Sequence, residues 1–197
     1  IYFGASSSNS NSNAWPAVGP APSILHCDHD PESTMVVSGV SKRFAMTGFR
    51  VGWLRAHESV ARVATKLQEP FVSCGAPFSQ AAAAEALRST DATAEAEIMR
   101  QRYMARRDAA MSVLRESGME SRACCPEGAF YMLVDVGISE GAEGACSKFC
   151  SELLQEEGVA VAPGSTFGSN SQSHVRVALA AADQDVVEGV RRLCHFV

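Results

Sequence analysis

The stretch SGVSKRFAMTGFRVGW, residues 38–53, sets one lysine and two arginines among small and aromatic residues. It overlaps a β-branched run, Thr34 to Val40 (TMVVSGV), that reads as a buried strand ending in a turn. It then leads into a second short apolar stretch, Val51 to Leu54. Lys42 therefore falls in a turn of small residues just past a strand, ahead of Gly48 and Gly52. A lysine held beside apolar walls loses hydration, which favours its neutral amine, the state that attacks an aldehyde. Arg50 stands eight residues on, between two glycines that let backbone come close. Its always-charged, forked guanidinium suits a phosphate. On residue types alone, both charges are more simply read as solvated surface groups.

Outward from this segment, composition narrows the classes. The chain has 197 residues, 46% apolar and 20% charged, with a net charge of −5. That balance gives no basic face for a nucleic-acid backbone. No run approaches the roughly 20 apolar residues that span a bilayer, so a soluble cytoplasmic protein is expected, with an organelle matrix the other option. Seven cysteines, with Cys124 and Cys125 adjacent and no C-x-x-C pair, read as free buried thiols in a reducing compartment. His26, Cys27, Asp28, His29 and Asp30 are too tightly consecutive to share one ion, so no metal is expected.

The chain opens on Ile1-Tyr2-Phe3, which reads as the middle of a strand, so sequence is expected upstream of Ile1. Residues 4–23, rich in Ser, Asn, Gly, Ala and Pro, read as a flexible loop. Residues 56–68 and Ser79 to Leu87 (behind Pro77) have helical character. A long helix is expected from about Glu95 to Glu116, with Met99, Tyr103, Ala110 and Leu114 on one face and Gly118 as its stop. Ala129 to Val136 then reads as a strand and 142–157 as a helix, with Ala142, Ala145, Phe149 and Leu153 on one side and Gly158 ending it. Val159 to Ala162 is a short strand. Val175, Val177 and Leu179 alternate with His174, Arg176 and Ala178, which puts Arg176 on the face opposite the valines. Asp183 is placed to cap a last helix carrying Val186, Val190 and Leu193. The texture thus divides into the end of an α/β layer at 1–94, a connecting helix at 95–117 and a small α+β lobe at 118–197.

The string GVSKRFAMTGFRVG, residues 39–52, resembles the cofactor-attachment signature of the class I and II aminotransferases, the aspartate-aminotransferase-like family. Three further segments resemble that family in the same order. Ile1-Tyr2 is similar to the end of its D-E-x-Y motif. PEGAFY, 126–131, is similar to the segment that opens its small domain. PGSTFG, 163–168, followed by VRVALA, 175–180, is similar to its last loop and strand.

The resemblance implies an α/β protein: the end of a fold-type-I large domain, with a mixed, mostly parallel sheet and helices, followed by a small α+β C-terminal domain. It implies pyridoxal 5′-phosphate as cofactor, joined to Lys42 as a Schiff base. Arg50 and Ser41 would contact its phosphate, and Tyr2 its ring oxygen. Arg176 would grip the α-carboxylate of the substrate. Some members carry a serine three residues before the lysine; here that position is Gly39, and Ser38 and Ser41 are the nearby hydroxyls. The implied activity is amino transfer between an L-amino acid and a 2-oxo acid by a homodimer. A lyase of the same fold and an inactive truncated remnant are the alternatives.

Overall fold

The structure, a computed structural model, describes residues 23–27, 30–138 and 144–197. Tyr2, Trp15, the 4–22 part of the expected loop, Asp28, His29 and Ala142 lie outside them. The described residues divide into two compact units, one ending at Met99 and the other beginning at Arg100.

In the first unit, β1 (Val36–Gly39) and β2 (Gly52–Arg55) pair antiparallel, with Val36 opposite Arg55 and Gly39 opposite Gly52. The expected mostly parallel sheet is not what these strands form. A parallel pair needs a long crossover, usually a helix, whereas the chain between β1 and β2 folds straight back on itself. The strand expected to be buried is also exposed. Val37 has 81% of its surface accessible and every residue of β2 is exposed, whereas Val40, just past β1, is fully buried.

Helix α1 (Glu58–Val72) is capped by His57, whose Nδ1 accepts from the Ser59 N–H. It outruns the expected 56–68 by one turn. Pro70, inside its last turn, removes one bond to the turn before it, and the chain leaves at Ser73 with φ 60°. Val63, Leu67 and Phe71, four residues apart, form an exposed apolar stripe along it. Helix α2 (Pro77–Arg88) starts on its proline, where the missing N–H costs nothing.

Helix α3 (Thr90–Glu116) begins five residues before the expected start because Ser89 caps it, its hydroxyl accepting from the Ala92 N–H at 3.1 Å. Its end has a full Schellman geometry. Gly118 takes φ 73°, its N–H reaches the Arg115 carbonyl, and the Met119 N–H reaches the Leu114 carbonyl at 2.7 Å. Leu114 and Met119 are both buried, which supplies the apolar contact that goes with this stop.

The second unit is built on a three-stranded antiparallel sheet, order β3 (Tyr131–Asp135), β5 (His174–Ala178), β4 (Ala162–Pro163). Met132 and Val134 of β3 and Val175 and Val177 of β5 point into one core with Leu179. The C-terminal end of α3, α4 (Ala145–Glu157) and α5 (Asp183–Phe196) supply the rest, including Leu114, Leu153, Val190 and Leu193. Of the expected face of α4, Leu153 is buried and Phe149 packs against the core with Ala145 half-buried, and Cys146 and Cys150 are buried beside them. The Cys146 thiol donates to the His174 carbonyl at 3.1 Å, and burial pushes the Cys150 thiol up to about 11. Four of the remaining cysteines, 27, 74, 124 and 125, are exposed rather than buried. Asp183 does not cap α5. It pairs instead with Arg106 of α3, whose Nη1 also donates to the Leu179 carbonyl at 3.2 Å. Among the described residues no helix is long and apolar enough to cross a membrane, and no three His, Cys, Asp or Glu gather as an ion site.

Candidate functional site

The loop between β1 and β2 is held by its own backbone. Val40 N–H continues the ladder to the Val51 carbonyl at 3.4 Å, and Phe44 N–H returns to the Val40 carbonyl at 3.2 Å. The second bond closes a turn over Ser41, Lys42 and Arg43, which puts Lys42 inside the turn with its side chain exposed. The apolar walls expected around this lysine are not supplied by the described residues of its unit. Ser41 is half-exposed on the same turn.

A 3-10 turn, Thr47–Phe49, follows, and Arg50 leaves it at φ 54°, a left-handed conformation unusual for arginine. The exposed Arg50 side chain folds back so that Nη1 donates to the Thr47 carbonyl at 2.9 Å. The loop closes tightly at its base. A Cβ on Gly39 would stand 2.9 Å from the Val51 carbonyl oxygen, and one on Gly52 would stand 2.9 Å from that of Ser38. Gly52 thus makes the close approach read from sequence. Gly48 does not, since nothing lies within 4 Å of its missing Cβ. The same crowding accounts for glycine rather than serine at 39.

In the second unit Arg176 projects from β5 away from the valine face, as the alternation predicts. Its guanidinium carbon lies 4.2 Å from the Tyr131 ring centre and 4.4 Å from that of Phe167. Nε is buried with no hydrogen-bond acceptor. Such a donor costs about 1–3 kcal/mol if nothing meets it, so the site is chemically incomplete without an acceptor oxygen. A carboxylate, which takes two N–H bonds from a guanidinium side by side, suits this donor.

Neither Tyr131 nor Phe167 stands among the site residues read from the sequence. The available signal was that each closes or nearly closes one of the two motif segments, PEGAFY and PGSTFG. Tyr131 is backed by Phe130 at 4.4 Å, and Phe130 is stacked on Tyr103 at 5.5 Å. The loop bearing Phe167 turns on Gly164, where a Cβ would come within 2.3 Å of the Ser171 carbonyl oxygen and 2.4 Å of that of His174.

His174, on the same face as Arg176, is engaged locally: its Nδ1 and the Ser173 hydroxyl are 3.1 Å apart. Across β3 from it, Asp135 accepts from the Gly137 N–H at 2.9 Å. That bond, with help from Ser173, His174 and Arg122 and against the cost of burial, holds the Asp135 carboxyl below the usual carboxylate range. A carboxyl whose folded pKa is depressed stabilises the fold above its unfolded value, near pH 4, and loses that contribution as pH falls through the folded value. Asp135→Asn should therefore lower stability at pH 7 by about 1 kcal/mol, with the difference from wild type shrinking toward pH 3. Thermal melts of both proteins at the two pH values measure this; an equal deficit at each would sink it.

The family model described as aminotransferase class I and II matches residues 2–193. Over 174 residues the chain is 35% identical to an aromatic-amino-acid aminotransferase of Thermococcus litoralis, covering 87% of this chain and 43% of that protein. It is 37% identical over 172 residues to an aspartate aminotransferase of Pyrococcus abyssi, again 87% of this chain and 43% of the relative. The crystal structure of an aromatic aminotransferase from Pyrococcus horikoshii superposes with a TM-score of 0.78 at 35% identity, covering 88% of this chain and 45% of that one. The chain thus spans less than half the length of the relatives it matches.

Proposed function

Because the chain belongs to the class I and II aminotransferases, with their α/β fold, we propose that it forms the pyridoxal-phosphate and substrate-carboxylate part of an enzyme moving an amino group between an L-amino acid and a 2-oxo acid. The observation that carries this reading is the 40–51 loop, one hydrogen-bonded turn that presents a primary amine at Lys42 and a guanidinium at Arg50. Those two groups fit the cofactor, an amine for its aldehyde and a guanidinium for its phosphate. The Ser41 hydroxyl on the same turn is a second phosphate donor. Tyr2, outside the described residues, takes the ring oxygen by resemblance alone.

When bound, pyridoxal phosphate supplies an electron sink for the bond broken at the substrate α-carbon. The chain's own residues do the rest. Arg50 and Ser41 would hold the cofactor through its phosphate, and Arg176 would hold the substrate through its α-carboxylate. Lys42 Nζ, as the neutral amine, takes the α-proton and holds it for return.

In the same reading, residues 1–94 are the C-terminal part of the cofactor-binding large domain, 95–117 the connecting helix and 118–197 the small C-terminal domain, in a cytoplasmic homodimer. The lyase alternative is not favoured, since the relatives named above are aminotransferases. Borohydride reduction of the holoenzyme containing this chain, followed by peptide mapping, should place the pyridoxyl group on Lys42. A label on Lys66 or Lys148 would refute the assignment.

A further inference from the structure

Arg176 sits between two rings that reach it from different elements. Tyr131 comes from β3 on one side of β5, and Phe167 from the turn after β4 on the other. Both ring centres lie within 4.4 Å of the guanidinium carbon, well inside the roughly 6 Å at which a cation is attracted to an aromatic face. The guanidinium is planar and stacks, so two rings fix its plane where a lone side chain would sample several. Nε of the same guanidinium is buried with no hydrogen-bond acceptor.

The two rings differ in freedom. Tyr131 is half-buried and backed by the Phe130–Tyr103 stack, so it cannot yield. Phe167 is 47% exposed and ends the row.

We propose that Tyr131 and Phe167 are positioning residues for the carboxylate site. Tyr131 is the fixed wall that sets the guanidinium plane, and Phe167 is the cover that keeps Nε dry until a carboxylate oxygen meets it. This rests on the reading of Arg176 as the carboxylate partner. It goes further in assigning the specificity for a planar, two-oxygen anion to the ring pair rather than to the charge alone. A guanidinium without its clamp still attracts anions, but it holds them in no single orientation.

The test uses the holoenzyme containing this chain, with Phe167→Leu, which keeps apolar bulk and removes the ring, and Phe167→Tyr, which restores the ring. Arginine modification by phenylglyoxal, followed at Arg176 by mass spectrometry, reports the cover directly. In Phe167→Leu the Arg176 labelling rate should rise several-fold, and the KM for the amino acid should rise about five- to tenfold with kcat within about twofold. Phe167→Tyr should return both to near wild type. Unchanged labelling and KM in Phe167→Leu would overturn the proposal, as would failure of Phe167→Tyr to restore them. Arg176→Ala separates the two levels. If it leaves KM normal, the carboxylate reading itself fails; if it raises KM while Phe167→Leu moves nothing, only the clamp fails.

Discussion

Arg176→Ala should raise the KM for the amino acid by roughly thirtyfold to several thousandfold while leaving cofactor occupancy nearly unchanged, and Arg50→Ala should do the reverse. The size follows from losing a charge-assisted bidentate contact with one partner left desolvated, about 2–5 kcal/mol. The separation of roles follows from where the two side chains stand. Arg50 is on the loop that bears Lys42 and bonds back to Thr47, so its loss should release cofactor on dialysis. Arg176 is on β5 of the other unit, stacked on Tyr131 and Phe167 with a donor unmet. Steady-state kinetics with cofactor in excess, beside absorbance of dialysed protein, distinguish the two. Loss of cofactor from Arg176→Ala with normal amino-acid affinity would show the roles to be wrongly assigned.

Gly164→Ala should cost the second unit about 3 kcal/mol or more, beyond the usual range for one added methyl group because the neighbours are main chain. A β-carbon there would press on the carbonyl oxygens of Ser171 and His174, at 2.3 and 2.4 Å. Neither can turn aside without moving the start of β5. The loop that holds Phe167 would be pushed outward, so loss of carboxylate affinity should accompany the loss of stability. Denaturant melts measure the first effect. A Gly164→Ala protein as stable as wild type would mean that the turn relaxes in a way the crowding does not suggest.

How much of this was legible in the sequence depended on the kind of interaction. Alternation along β5 is a local property of a pleated strand, so the burial of Val175, Val177 and Leu179 and the outward aim of Arg176 could be read from spacing alone. The stops at Gly118 and Gly158 were legible for a similar reason, since only glycine takes the left-handed turn cheaply. The start of α3 was missed because the cap is a single hydroxyl, Ser89, in a polar stretch with no periodicity to announce it. The clamp on Arg176 was illegible because it depends on strand register. Nothing local says that Leu133 lies opposite Arg176, with Tyr131 one pleat away on the same face. Burial failed in the other direction for β1. Its run was read as a buried strand, yet Val37 is exposed among the described residues, as are Leu67 and Phe71 of α1. Hydrophobicity reports what a residue would gain by being covered, not whether these residues supply the cover.

The asymmetry of α3 has a consequence for how the chain breathes. Of its 27 residues only Ala110, Met111, Val113 and Leu114 are buried, all within the last two turns, next to the Schellman lock at Gly118. The free energy needed to open a backbone amide is therefore graded along one continuous helix. Near Thr90 the first turn is held by local bonds to Ser89, from the Ala92 N–H to its hydroxyl and from the Thr93 N–H and hydroxyl to its carbonyl, with no buried residue behind it. Near Leu114 an amide opens only when the second unit's core comes apart. Amide exchange along the helix would therefore rise from its C-terminal end toward Thr90.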